Sequence, residues 1–299
     1  MTRVVQLPAS FDDRTFDQFA AACGEWPPDV RLLFDARQTQ WTSPYGLVGL
    51  LTAGQALADA KCPQPLFTVP QNEDVCRYWA RAGFFAQAEG LFEIHGRVPK
   101  AASGPTDALL DITAIRAIDD VHRAVGEISS NASRILVEQL GIRPQETYKF
   151  SMALSEACQN IVEHAGTAGW VAVQSYNWKR RLERRVVVIA VSDAGIGFRR
   201  SLEAAHARRF GERWGDGAAI EAALIQNVSR FRDPGRGQGL AFIRRFVQQW
   251  NGKVSIRSGT ARLSIIPDWD DDVPLAERLP WFPGAQVQVT IPAPGAAGS

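Results

Sequence analysis

Glu156 and Asn160 stand four residues apart in the segment SEACQNIVEH, where Leu154, Cys158, Ile161 and Ala165 recur at helical spacing. Residues four apart share one helix face, a turn from each other. A carboxamide oxygen suits a hard cation such as Mg2+, and a carboxylate beside it can orient or deprotonate a water. A solvated polar helix face would produce the same pair. The second chemical segment is the apolar run 186–191, which delivers Ser192-Asp193-Ala194-Gly195-Ile196-Gly197. An ionised aspartate at a strand end accepts hydrogen bonds, including one from an exocyclic amine, and glycines let the backbone turn tightly beside a ligand. A plain turn with a capping aspartate is the alternative. The third is Gly235-Arg236-Gly237-Gln238-Gly239-Leu240, opening an apolar helix. Alternate glycines leave N–H groups unobstructed, and a helix N-terminus attracts anions. No Lys-Ser/Thr follows the glycines and no strand precedes them, so neither the P-loop nor the dinucleotide pattern applies.

The elements that must position these residues can be read around them. A strand over 108–112 leads into helices over 119–140 and 145–164, separated by the stop and restart signals Gly141 and Pro144. Residues 170–176 and 185–191 alternate as a strand pair. A helix over 239–250 precedes strands near 254–257, 262–266 and 286–291. Helices on one side of a mostly antiparallel sheet make a two-layer α/β sandwich.

In this order the three segments resemble the ATPase superfamily shared by DNA gyrase, sensor histidine kinases, the ninety-kilodalton heat-shock chaperone and mismatch-repair ATPases. Glu156 and Asn160, followed by His164-Ala165, match its N box. Asp193, Gly195 and Gly197 match its first glycine box. Gly235, Gly237, Gly239 and Leu240 match its second. The resemblance covers residues 108–292 and implies the Bergerat-type ATP-binding fold, with ATP and Mg2+ as cofactors. It implies that Asn160 coordinates Mg2+, that Asp193 binds adenine and that the second glycine box holds phosphates. It also implies that Glu156 is the general base and that residues 198–234 form a mobile lid. Arg236, inside the glycine loop, is the arginine best placed for a phosphate. Within the superfamily the likeness is nearest to anti-sigma-factor serine kinases, which act through protein partners. Such domains usually carry Gly-Thr near their end, where this chain has Gly284-Ala285; Thr260 is a second Gly-Thr, with a hairpin-turn role as its alternative.

Residues 1–95 alternate short strands (4–7, 30–35, 66–69) with helices (11–23, 47–60, 74–82), which describes a small α/β domain. The segment LLFD followed by WTSPYGLVGLL resembles the core of a STAS domain. Antagonists of anti-sigma factors carry a phosphorylated Ser immediately before Gly-Leu there; here Tyr45 precedes Gly46-Leu47, so no phosphorylation switch is expected at that position. Residues 96–107 read as a linker and 293–299 as a flexible tail. The resemblance leaves open an ATPase or a serine/threonine kinase, with a nucleotide-gated scaffold of little or no catalysis as the alternative.

The 299 residues carry 33 Lys+Arg against 32 Asp+Glu, and that balance gives no reason to expect nucleic acid or an anionic membrane. The N-terminus lacks the apolar core of a signal peptide, and no run reaches the ~20 apolar residues of a membrane span. Four scattered cysteines form no metal or redox motif, and a cytoplasmic location is expected. The expected partner is a protein, STAS-like or sigma-factor-like. Trp269 and Trp281 are candidates for a partner or homodimer surface, with core packing as the alternative. The arginines of WKRRLERR read as a solvated hairpin and those of 198–236 as a positive lid; His122 and His206 have no assigned role.

Overall fold

The computed structural model describes residues 1–24, 26, 29–100, 108–134, 137, 141, 143–178, 182–226, 228 and 239–294. The first part of the chain runs β1 (Thr2–Gln6), β2 (Ser10–Phe11), α1 (Phe16–Cys23), β3 (Arg31–Asp35), β4 (Trp41–Thr42), α2 (Pro44–Asp59), β5 (Leu66–Thr68), α3 (Glu73–Arg81), α4 (Phe84–Ala88) and β6 (Glu93–His95). Strands β1, β3, β5 and β6 form a four-stranded parallel sheet in that order. Its inward side chains Val5, Leu32, Phe34 and Phe67 are buried against the helices, while Val4 on the outer face is exposed. Helix α2 begins at Pro44, three residues before the expected start at 47, because Pro44 and Gly46, residues that usually form turns, lie inside the helix. Ser43 caps α2 by accepting the Gly46 N–H, and Pro44 takes the first helical position, where a missing N–H costs nothing.

The second part runs β7 (Ala108–Ile115), α5 (Ile118–Arg134), α6 (Pro144–Asn160), β8 (Gly169–Trp178), β9 (Arg184–Asp193), α7 (Gly197–Phe210), α8 (Asp216–Leu224), α9 (Gly239–Gln249), β10 (Lys253–Gly259), β11 (Ala261–Ile265), β12 (Leu275–Ala276) and β13 (Phe282–Pro292). Seven strands form one antiparallel sheet, ordered β12-β11-β10-β13-β9-β8-β7. The strand pair, the late strands and the two-layer arrangement agree with the sequence reading. Helix α6 is shorter than expected, because a π-helical turn takes over at Ile161–Ala165. Of the expected helix 119–140, residues 135–136 and 138–140 lie outside the described set.

Four strands of this sheet, β7, β8, β9 and β13, serve two cores. Val187, Ile189 and Val191 of β9 face α6, α8 and α9, while Ala190 joins Trp170, Ala172 and Phe282 in the core that holds α1 and α2. A strand buried on both faces must be apolar at every position, which explains the unbroken run VVVIAV. Helix α2 lies along β8 and β9. On its other side α2 packs against α1, and Gly49 permits that approach, since a Cβ there would sit 2.3 Å from a Phe16 ring carbon. The contact with β9 is polar at one point: Thr52 Oγ1 donates to Val48 O, so the 2.7 Å bond between Thr52 Oγ1 and Ser192 Oγ has Ser192 as donor. The layers are therefore sheet, helices, sheet, helices.

Residues 198–226 fall into α7 and α8 rather than a loop. Leu202, Ala219, Ile220, Ala223 and Leu224 are buried in the core, while Arg199, Arg200, Arg208, Arg209 and Arg213 are exposed. Arg230, Arg232 and Arg236 of the expected lid, and Arg180 and Arg181 of the hairpin, lie outside the described residues, as does 295–299 of the expected tail. Trp269 donates to Asn251 O and packs edge-on to Trp178, whereas Trp281 is exposed beside Trp26. Cys23, Cys62, Cys76 and Cys158 are free thiols.

Candidate functional site

Helix α6 ends beside the start of α9. Glu156 points at that start: a Cβ on Gly239 would lie 2.2 Å from Glu156 Oε2, so a larger residue there would have to displace the carboxylate. Burial, and then the charge of Glu163, raise the Glu156 pKa, which makes its carboxylate a stronger base than a solvated one. One turn on, Asn160 Nδ2 donates to Glu156 O at 2.9 Å. That bond orients the amide and leaves Oδ1 as its acceptor, the hard oxygen a Mg2+ ion requires. No group of three or more His, Cys, Asp or Glu able to hold a metal occurs among the described residues. A cation here would take Asn160 together with oxygens of the ligand it accompanies. Two of the predicted groups thus converge on one helix N-terminus.

Asp193 closes β9 and is buried, at 8% exposure. Its carboxylate accepts N–H bonds from Gly195, at 2.8 Å, and from Ala285 on β13. Burial outweighs those bonds and pushes its pKa up to about 6. The glycines around it are required by contact. A Cβ at Gly195 would lie 2.3 Å from Ala165 O, so the turn after Asp193 packs directly on the π-helical turn that ends α6. Gly284 has φ +67, and a Cβ there would lie 1.9 Å from Asp193 O. Gly197, at φ +71, starts α7.

Leu240, the second residue of α9, is buried in the core and fixes the helix start. Gly235, Arg236 and Gly237 lie outside the described residues, as does the side chain of His164. Thr260 does not stand at Asp193. Its N–H and hydroxyl both bond Asp216 Oδ2, each at 2.8 Å, tying the start of α8 to the β10–β11 hairpin. The hydroxyl beside the Asp193 turn belongs instead to Ser258, whose Oγ donates to Gly284 O at 2.9 Å and accepts the Phe198 N–H at 3.1 Å. Sequence reasoning missed Ser258, and only its place before Gly259-Thr260 hinted at it.

A buried acceptor (Asp193), an amide oxygen (Asn160), a basic carboxylate (Glu156) and a helix N-terminus are the groups that suit a ligand with an amine-bearing ring and a metal-bound polyanionic tail. Residues 146–294 match the family model described as Histidine kinase-, DNA gyrase B-, and HSP90-like ATPase. The matched region runs from the first turn of α6 through β13, and so contains every site residue named above. No curated protein and no solved structure matches the chain. No helix among the described residues is long and apolar enough to cross a membrane.

Proposed function

Since residues 146–294 form an ATPase domain of the histidine kinase, gyrase B and HSP90 type, we propose that this chain binds Mg·ATP between Asp193 and the start of α9. On this reading it serves as a nucleotide-dependent regulator of protein partners, of the anti-sigma-factor and serine-kinase kind. The observation that carries the reading is the convergence of Glu156 on Gly239 across two helices, beside an aspartate already buried and held by two N–H groups. Asp193 accepts the adenine amine. Asn160 Oδ1 holds Mg2+, which when bound offsets the phosphate charge. The α9 N-terminus and the second glycine box, Gly235, Arg236 and Gly237 with Gly239, receive the phosphates. Glu156 takes the proton of the attacking hydroxyl or water. The residues present fit that cation, because Asn160 offers an oriented amide oxygen rather than a nitrogen or sulfur ligand.

The unit formed by residues 1–95 is read as STAS-like and fixed in cis, its α2 lying on the back of the ATPase sheet. Tyr45, where a phosphoacceptor serine would stand, is buried beneath Phe16 with a ring separation of 5.0 Å, so an acceptor has to come from another protein. Any closure over the nucleotide by residues 198–234 has to pivot on α8, which Asp216 anchors to Thr260.

A second reading, a nucleotide-gated scaffold with little or no catalysis, draws on Tyr45 in place of a phosphoacceptor serine and on Ala285 in the position where such domains usually carry Thr. Incubation with γ-labelled ATP separates the two. Phosphate release or label transfer that Glu156→Ala abolishes supports the regulator with catalysis. Mg·ATP binding by calorimetry without either product supports the scaffold. Absence of Mg·ATP binding overturns both.

A further inference from the structure

The carboxylate of Asp193 is held by two N–H groups, and one buried hydroxyl ties together the segments that carry them. Ser258, near the end of β10, is 2% exposed. Its Oγ donates to Gly284 O at 2.9 Å and accepts the Phe198 N–H at 3.1 Å. The nucleotide chemistry proposed above gives this hydroxyl no role.

On the β13 side its bond acts through a single peptide unit. Gly284 O and the Ala285 N–H are the two ends of that unit, and a planar trans peptide points them in opposite directions. The Ala285 N–H bonds the Asp193 carboxylate, so fixing the oxygen also fixes the hydrogen. The unit lacks the support a regular ladder would give. Pairing between β10 and β13 runs from Ser258 with Ala285 to Gly259 with Phe282, and so passes over Pro283 and Gly284. Gly284, at φ +67, has the conformational freedom to let the unit turn.

On the α7 side the bond acts through a helix start. The first N–H groups of a helix find no acceptor within it, and Ile196, at the capping position, supplies no side-chain bond. Ser258 supplies one from a different strand. Gly197, at φ +71, makes the approach possible, since a Cβ there would lie 2.6 Å from Ser258 Oγ. The turn anchored in this way runs back to Gly195, whose N–H bonds Asp193 Oδ1 at 2.8 Å. Both arms that hold the carboxylate are thus fastened to one oxygen atom.

We propose that Ser258 is a positioning residue for base recognition: its hydroxyl fixes the 284–285 peptide and the turn over 195–198, aims the Asp193 carboxylate at an exocyclic amine, and so sets a preference for an amino-purine over an oxo-purine. The inference rests on the assignment of Asp193 to the base, and Ser258 acts on the base only through Asp193. An ionised carboxylate accepts from an amine but has no proton to offer a carbonyl. Hydrogen bonds weaken steeply as their angle departs from linear, so a carboxylate that has lost its aim loses the discrimination. Contacts to the phosphates, common to both nucleotides, are unaffected.

The test compares Mg·ATP with Mg·ITP, which carries an oxo group in place of the amine, by calorimetry on the full chain. The wild type should prefer ATP by about tenfold or more, as expected for a hydrogen bond to a charged group. Ser258→Ala should weaken ATP by roughly three- to tenfold and leave ITP within about twofold, so that most of the preference disappears. A merely structural loss would lower both affinities alike and leave their ratio in place. Where Ser258→Ala fails to fold, Ser258→Cys, with a weaker donor and acceptor, carries the same comparison with the same sign. An unchanged ATP-to-ITP ratio in the folded variant overturns the role of Ser258 and leaves the nucleotide site standing. A wild type that does not bind Mg·ATP, or that binds the two nucleotides equally, overturns the assignment of Asp193 and this inference with it.

Discussion

Replacing Asp193 by asparagine should stabilise the protein and destroy its nucleotide binding together. The carboxylate is buried, and its pKa rises from the ordinary 3.8 to about 6. At about 1.4 kcal/mol per pH unit, holding it ionised in the folded state costs roughly 3 kcal/mol. A raised acid pKa means that the folded protein binds the proton more tightly than the unfolded chain. The penalty is therefore absent below pH 4, grows as pH rises through 4 to 6, and is complete above 6. Asparagine keeps an oxygen for the Gly195 and Ala285 N–H groups but gives up the charge assistance in those bonds, worth about 1 kcal/mol. The net expectation is a gain of about 1–2 kcal/mol at pH 7.5 that shrinks to zero or reverses near pH 4.5, read from urea unfolding at both values. Calorimetry on the same variant should find Mg·ATP binding lost. In the wild type the affinity should fall by up to tenfold per unit below pH 6, as the free carboxyl takes up its proton. Equal destabilisation at both pH values would refute the burial argument, and unaltered ATP affinity would refute the assignment of Asp193 to the base.

Two further substitutions probe the geometry. Gly239→Ala places a methyl group 2.2 Å from Glu156 Oε2 and has to push the carboxylate aside. Phosphate release or Mg·ATP affinity should fall at least tenfold with little change in melting temperature, and Gly239→Ala added to Glu156→Ala should cost nothing more. Thr52→Val leaves the buried Ser192 hydroxyl without its acceptor and should cost about 1–3 kcal/mol, while Thr52→Val with Ser192→Ala should recover most of that loss, as read by urea unfolding.

The family of residues 146–294 was legible in the sequence because three segments of particular residue types stand in order at element ends. Neither Asp193 after VVVIAV nor Glu156 four residues before Asn160 is decisive alone; their order together with the glycine loop is what points to the family, without knowledge of the packing. What escaped was whatever depends on contacts across the chain. Ser258, Gly284 and the Thr52–Ser192 pair have ordinary local surroundings and gain their roles only when β10, β13 and α2 meet β9. Strands β6 and β12, of three and two residues, are too short to leave a period. Helices α7 and α8 hide in a segment whose arginines and alanines show no clear apolar stripe, so burial of α8 is decided by its alanines fitting the sheet edge. Pro44 and Gly46 misled because both usually punctuate a turn, whereas Pro at the first helical position and Gly under Phe11 serve close packing. The full-length apolar character of β9 was itself a signal that both faces of the sheet are covered, and α2 is what covers the second.

That cover decides what the nucleotide can control. Phe16 packs on Tyr45 at 5.0 Å and on Phe282 at 4.9 Å, and Trp170 is buried in the same core. Arg257, 1% exposed, lies over both the Phe16 and Phe282 rings, and its Nε donates to Asp17 Oδ1 at 3.0 Å. Undocking residues 1–95 would expose these side chains and leave a buried guanidinium without its partner. At about 1.5–3 kcal/mol per large apolar side chain, four of them alone cost on the order of 6–12 kcal/mol. A ligand at a hundred times its dissociation constant supplies about 2.7 kcal/mol even if it binds one state only. Nucleotide occupancy therefore cannot release the N-terminal unit. On the proposed reading, a nucleotide signal leaves through the surfaces around α7, α8 and the start of α9 while residues 1–95 stay docked on the sheet.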